Sequence, residues 1–311
     1  MSHPPLQFKM RRRRKVPLID FIEPVPIGET VSILFQSDEH FDNIHTNQDL
    51  IREHLKQAVE LGAPVCKLGD QLCLMQGKTD GRASKGDLRP EHKVPNYIDA
   101  VVNSYATFHK FAAPNIALIA DGNHEIAVRE RLETNVTERI GEQLRQAGSN
   151  LHVGGIAGWI LVRIWVTSTT KTIVPIFYHH GHGGGGMGRG TGHANQRALY
   201  LPDAQVVMSG HIHEETVQTI CRDRINTATG RKYLDRSVHC VCGTYKQEYR
   251  PEESGYHCKN GRPPKPVSGT WLDLTVVKEF DGELAKSAYQ KGEGKRRLPR
   301  IFISANIRRA L

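Results

Sequence analysis

The stretch VSILFQSDEH (residues 31–40) decides how the chain is read. Its first six residues have a buried-strand pattern, and at their end stand Ser37, Asp38, Glu39 and His40. The same figure returns four times. PVCKLGD (64–70) ends at Gly69-Asp70, and NIALIADGNHE (115–125) ends at Gly122-Asn123-His124-Glu125. TIVPIFYHH (172–180) ends at His179-His180, and AQVVMSGHIHE (204–214) carries Gly210-His211-Ile212-His213. Between the runs lie amphipathic segments. One spans Asn47 to Leu61, with Ile51, Leu55, Ala58 and Val59 on one face, a Thr46-x-x-Asp49 start and Gly62 as its stop. A second starts at Asn96 and lines up Ile98, Val101, Val102 and Tyr105, and a third lines up Val136, Ile140 and Leu144. WILVRIWV (159–166) is expected to pair with TIVPIFYHH, and QTIC, SVHCVCGTY and TWLDLTVV predict further antiparallel strands. Residues 71–95 read as a long polar loop. The alternation predicts an α/β fold with a β-rich C-terminal half.

Composition bounds the rest. The chain has 311 residues, 38% hydrophobic and 24% charged, enough for a sizeable core. No apolar run approaches the roughly 20 residues of a membrane span. The tract Arg11 to Lys15 is followed by acids and prolines, so it does not open a signal peptide. Six cysteines are too sparse for a disulfide scaffold, and a reducing cytoplasm is the expected setting. The net charge of +9 is uneven. Residues 1–15 carry +6, residues 278–311 carry +5, and residues 16–277 carry −2. The expected organisation is a basic N-terminal arm (1–15), one domain (16–277) and a basic C-terminal tail (278–311). Such arms attract polyanions, nucleic acid among them.

The chemistry sits at the strand ends. In open α/β sheets ligands bind at the carboxyl ends of the strands, so five such ends can bring Asp, His and Asn side chains to one point. Alternation along an extended segment lets Asp38 and His40 face one ion, and His211 and His213 share that spacing. Asp70 has two oxygens and can bridge two cations, while Asn123 adds a neutral oxygen. The donor set is nitrogen and oxygen without thiolate, which suits Mn, Fe, Zn or Co, with Mn favoured. The glycine run 182–190 fails as a P-loop because Arg189-Gly190 stand where Lys-Ser/Thr are needed. It reads instead as a loop over the site, with Arg189 in reach of a phosphate. Cys240 and Cys242 are expected on one side of a core strand, lacking the two-residue gap of a zinc knuckle.

The ordered series Asp38-x-His40, Gly69-Asp70, Gly122-Asn123-His124-Glu125, His179 and Gly210-His211-x-His213 resembles the calcineurin-like metallophosphoesterase superfamily. The resemblance spans residues 31 to 213. It implies a two-sheet β-sandwich flanked by helices and a binuclear metal site. By position, Asp38, His40 and His213 would hold one ion, Asp70 would bridge, and Asn123, His179 and His211 would hold the second. His124 would act as the catalytic residue beside the phosphate. The chain departs from the family pattern at Cys73, where many members have Asp or Asn. The fourth motif offers His179, His180 and His182, of which His179, the first residue after the apolar run, is favoured. The implied reaction is phosphate-ester hydrolysis by a hydroxide held between two divalent ions. Phosphodiesters, nucleic acid among them, are favoured slightly. The alternatives are a phosphomonoesterase or protein phosphatase with the same site, and a nucleic-acid-binding protein whose metal site is not catalytic.

Overall fold

The strand-forming runs collect into two sheets packed face to face. A computed structural model describes residues 7–74, 85–183, 197, 199–225, 227–228, 230, 232–252, 255–278 and 301–310. The first sheet holds, in spatial order, β1 (Phe8–Arg13), β2 (Val16–Phe21), β7 (Ala157–Trp165), β8 (Lys171–His179), β9 (Val206–Ser209), β11 (Lys232–Val241) and β10 (Thr216–Ile225). The second holds β13 (Ile301–Arg309), β12 (Thr270–Lys278), β3 (Thr30–Gln36), β4 (Val65–Lys67), β5 (Ile116–Ala120) and β6 (His152–Gly154). β3, β4, β5 and β6 are all parallel, as the helical segments between them require. β7 and β8 pair antiparallel as expected, and so do β10 and β11.

Inward-facing residues of the two sheets make the main core. Ile33, Phe35, Cys66, Leu118 and Ala120 meet Ile160, Val162, Val174, Ile176, Tyr178, Val206 and Met208. The outer face of the second sheet is covered by α1 (Gln48–Leu61), α2 (Tyr97–His109) and α4 (Val136–Gln146), which bury Ile51, Leu55, Val101, Tyr105, Ile140 and Leu144 against Leu34, Val65 and Ile119. α1 begins one residue later than Thr46 suggested. Asn47 is the cap, accepting a hydrogen bond from the Leu50 amide, because the Thr46 hydroxyl is spent on the carbonyls of Glu39 and His40. Gly62 ends the helix in the left-handed conformation, φ 63°. The segment after β5 forms two helices, α3 (Asn123–Leu132) and then α4, which Asn135 caps through the Glu138 amide. No described helix is long and apolar enough to cross a membrane.

The two basic termini differ from the expected arms. Residues 8–13 form an edge strand whose register sets Phe8 opposite Phe21 and Met10 opposite Ile19, so that Phe8 and Met10 pack on the sandwich core. At the other terminus Ile301, Ile303, Ala305 and Ile307 do the same from β13, which pairs with β12. Alternating apolar residues inside a basic sequence are what draw these segments into the sheets. Residues 279–300 of the expected tail lie outside the described residues, as do Arg189 and the rest of the glycine run from 184 to 190.

Beneath the strand ends lies a buried polar network. The Lys67 ammonium, 0% exposed, donates to Glu39 Oε1 at 2.5 Å and to Gln36 Oε1 at 2.8 Å. Tyr105 donates to Glu39 Oε2 at 2.6 Å, and His109 Nε2 lies 3.7 Å from the same oxygen. Burial pushes the Glu39 carboxyl up, but Lys67 and His109 outweigh it and hold it at about 2. A folded-state pKa below the ordinary 4.5 means a stabilisation present above pH 4.5 and lost as pH falls towards 2. Glu39→Ala leaves the Lys67 charge buried without its counter-ion. We expect it to cost about 3–5 kcal/mol in urea unfolding at pH 7. Below pH 3 the difference from the parent should shrink, and a constant difference would remove the ion pair as its cause.

Candidate metal centre

Five strand ends deliver the polar residues to one cleft. Asp38 and His40 follow β3, Asp70 follows β4, Asn123 and His124 open α3 after β5, His180 follows β8, and His211 and His213 follow β9. Backbone conformation aims them. Asp38, His40, Asp70, His211 and His213 all have positive φ, between 46° and 75°. Five such non-glycine residues at one place mark backbone strain held by the surroundings, as at functional sites. The strand-like alternation expected for Asp38 and His40 is therefore replaced by left-handed turns, which still bring the two side chains together.

The nitrogen and oxygen donors fall into two groups, and Cys73 with His40 and His124 makes a third cluster beside them. Asp38, His40 and His213 form the first, with His40 Nε2 3.3 Å from His213 Nε2 and Asp38 Oδ1 3.2 Å from His213 Nε2. Asp70, His180 and His211 form the second. Asp70 Oδ2 lies 3.2 Å from His180 Nε2 and 3.6 Å from His124 Nε2, and Asn123 Oδ1 is 3.1 Å from His180 Nε2. Of the residues expected at the site, Asp38, His40, Asp70, Asn123, His124, His211 and His213 thus converge.

His179 does not join them. Val174, Ile176, Tyr178 and His180 share the buried face of β8 and its extension, and His179 points to the other face, where its Nδ1 accepts the Gly181 amide at 2.7 Å. His180 takes its place, with Nδ1 held 2.8 Å from the Leu68 carbonyl and Nε2 turned to Asp70. The alternation of TIVPIFYHH carried that signal, since His180 falls in phase with the apolar residues.

A divalent cation fits the donor set. Asp38 and Asp70 are buried, Asp38 Oδ1 and His40 Nδ1 accept or donate no hydrogen bond, and two imidazole nitrogens face one another across 3.3 Å. Charge balance tells the same story. Burial pushes both carboxyls up, but His213 holds Asp38 at about 2, and His124 and His180 hold Asp70 well below the usual carboxylate range. Burial disfavours the imidazolium of His180, yet Asp70 raises it to about 10. Asp38 and Glu248 likewise raise His213 to about 9. Glu125 is pushed up to about 8 by burial and by Asp70, and its carboxyl accepts the amides of Asp70, Leu72 and Gly122.

Neighbouring groups fix the donors. Asp38 Oδ2 accepts from Ser37 Oγ at 2.5 Å and from the His211 amide at 2.8 Å. A side chain at Gly122 would overlap Asp70 Oδ1, so glycine is required there. The Cys73 carbonyl takes His124 Nδ1, while Asp42 accepts the amides of Cys73 and Leu74 and the Tyr97 hydroxyl, holding the loop after Asp70. Glu248 was not legible in the sequence. Its Oε2 lies 3.1 Å from His213 Nδ1 and 2.9 Å from His257 Nε2, and its Oε1 is 3.1 Å from Lys246 Nζ. The segment that carries it is clamped to the β3 end, with the Tyr245 amide 3.1 Å and the Thr244 hydroxyl 2.8 Å from the Asp38 carbonyl. No spacing motif announces a carboxylate supplied 35 residues after its histidine. The expected placement of Cys240 and Cys242 on one side of a core strand agrees with the structure.

No family model and no curated protein matches the chain. Among solved structures it is similar to a conserved uncharacterized protein from Streptococcus pneumoniae TIGR4, described as a predicted phosphoesterase. The identity is 11%, over 88% of this chain and 98% of that one, with a TM-score of 0.32. It is also similar to the calcineurin-like phosphoesterase YfkN from Bacillus subtilis, at 13% identity over 81% of this chain and 86% of that one, again with a TM-score of 0.32. At that score neither superposition locates a side chain.

Two outcomes test the centre. His180 and His213 carry protons at pH 7.5 and must shed them to donate to a cation, so Mn²⁺ binding should release about two protons and tighten as pH rises to about 9. Calorimetry in buffers of different ionisation enthalpy reads the number, and zero would remove these histidines as ligands. Glu248→Ala frees the His213 ring and should weaken Mn²⁺ binding by about 10–100-fold.

Proposed function

We propose that the chain is a two-metal phosphoesterase of the calcineurin-like metallophosphoesterase superfamily, acting on phosphodiesters in preference to monoesters. The observation that carries this reading is the pair of donor groups, Asp38–His40–His213 and Asp70–His180–His211, buried except for the half-buried His211. The residue order along the chain supports it as well. In this reading Asp38, His40 and His213 hold one divalent ion, Asn123, His180 and His211 hold the second, and Asp70 lies between the two. Mn is the favoured metal. Bound divalent ions would offset charge on the phosphate oxygens and make an attacking water more acidic.

The chain's own residues do the rest. His124 sits at the N-terminus of α3 with Nδ1 anchored on the Cys73 carbonyl and Nε2 3.6 Å from Asp70 Oδ2. Its ring is edge-on to His40, with centroids 5.0 Å apart. That anchoring leaves Nε2 as the atom that gives a proton, or a hydrogen bond, to the departing oxygen. The reaction needs no protein nucleophile, since water supplies the attacking oxygen.

The test is hydrolysis of bis-p-nitrophenyl phosphate with Mn²⁺ supplied or chelated. Turnover should need the metal and vanish in Asp70→Ala. His124→Ala should lose about 10²–10⁴-fold in kcat while keeping its Mn²⁺ affinity. Turnover of p-nitrophenyl phosphate alone would replace the diesterase by a monoesterase.

A further inference from the structure

A second cluster of cationic groups lies away from the metal centre. A cavity of about 290 Å³ is lined by Met10, Arg11, Arg12, Pro17, Arg145, Asn150, Leu151 and His152. It forms where the first strand of one sheet approaches α4 and β6 of the other. Arg12 shares its face of β1 with Phe8 and Met10, the residues that pack on the core. At the end of that row there is no apolar surface left to cover, and Arg12 faces the cavity instead. Among the described residues Arg12 makes no ion pair or hydrogen bond, and the buried His152 Nδ1 has no hydrogen-bond partner. Arg145 is paired, 2.8 Å from Glu138 and 3.5 Å from Glu142, which leaves Arg12 as the pocket's unmatched guanidinium. Burial first, then the charges of Arg12 and Arg145, disfavour a proton on His152, and Glu138 opposes them.

Topology orients this pocket relative to the metal centre. β7 runs antiparallel to β8, with Ala157 opposite His179, and β2 runs parallel to β7. The end of β1 and the turn Arg14-Lys15 therefore lie at the same end of the sandwich as His180. β6 is parallel to β5, and His152 pairs with Leu118, two residues before the end of β5 that leads into Asn123. Three inter-strand steps separate β1 from β8, about 14 Å at about 4.8 Å each.

We propose that the Arg12–Arg145–His152 pocket holds a backbone phosphate of a single-stranded nucleic acid whose course continues across the end of the sandwich to the metal centre. The guanidinium fork of Arg12 matches a phosphate's oxygens, and Met10, Pro17 and Leu151 give an apolar floor beside it. Arg14 and Lys15, in the turn after β1, extend the positive charge beyond the pocket, which a chain of phosphates uses and a single small anion does not. The direction of the strand rests on the phosphodiesterase reading; the pocket's affinity for phosphate does not.

The experiment measures binding of fluorescein-labelled oligo-dT, about 20 nucleotides long, to the full chain in EDTA over a salt series. Arg12→Glu should weaken binding about tenfold and flatten the salt slope by about 0.7, the loss of one phosphate contact. Lys9→Glu makes the same charge change on the opposite face of β1 and should change little. Equal effects of the two variants, or none from Arg12→Glu in a protein of unaltered melting temperature, would overturn the proposal. So would a mononucleotide that competes as well as the oligonucleotide, because the pocket would then serve a small phosphate. Arg12-dependent binding without bis-p-nitrophenyl phosphate turnover would sink the diesterase reading and leave the phosphate pocket standing.

Discussion

Two ionised carboxylates are buried in one cleft, and the surrounding structure is arranged to tolerate them. Asp38 and Asp70 are 0% and 2% exposed. A buried carboxylate is costly unless charge and hydrogen bonds compensate it. The fold answers in layers. Backbone amides of His211 and His124 donate to Asp38 and Asp70, and His213 and His180 bring positive charge against them. A third acid in the same cleft, Glu125, cannot share that compensation, so its carboxyl is pushed up to about 8 and serves as a brace for three amides. Divalent ions at the donor groups would substitute for the imidazolium charge, which is why the cleft suits them.

The same constraint explains the segment Asp38-Glu39-His40. Left-handed backbone at Asp38 and His40 turns those two side chains to the cleft and sends Glu39 down into the body of the protein, where Lys67 meets it. Lys67 ends β4, the strand that leads to Asp70. One buried ion pair thus ties together the two strand ends that carry the carboxylates. Removing it would loosen the site from below without touching a donor.

The series of strand ends and the convergence of seven of the eight expected residues on one cleft were legible, because each sits directly beyond an apolar run. His179 stands first after the apolar run, but the alternation within the run puts His180 on the buried face. Strand β1 was hidden by charge, since Lys9 and Arg11–Arg13 dominate it and only Phe8 and Met10 are apolar, and β13 lies within a C-terminal segment whose net charge marked it as a tail. Glu248 was hidden for another reason. It acts from a clamped loop after β11, and only the tertiary contact of that loop with the β3 end brings it to His213.

Basic charge at the N-terminus has two fates that the sequence does not separate. On the outer face of the first sheet Asp20, itself buried, accepts Arg11 at 2.7 Å, Arg163 Nε at 2.7 Å and the Trp165 indole at 3.1 Å. Arg11 is therefore matched, and the charged edge strand it belongs to resists pairing with another chain. One residue on, Arg12 is turned to the inner face with no acid opposite. A +6 segment read as a uniform attractive cloud would place equal weight on both arginines. The pleat of β1 divides them, one in a structural ion pair and one left to meet an anion from outside.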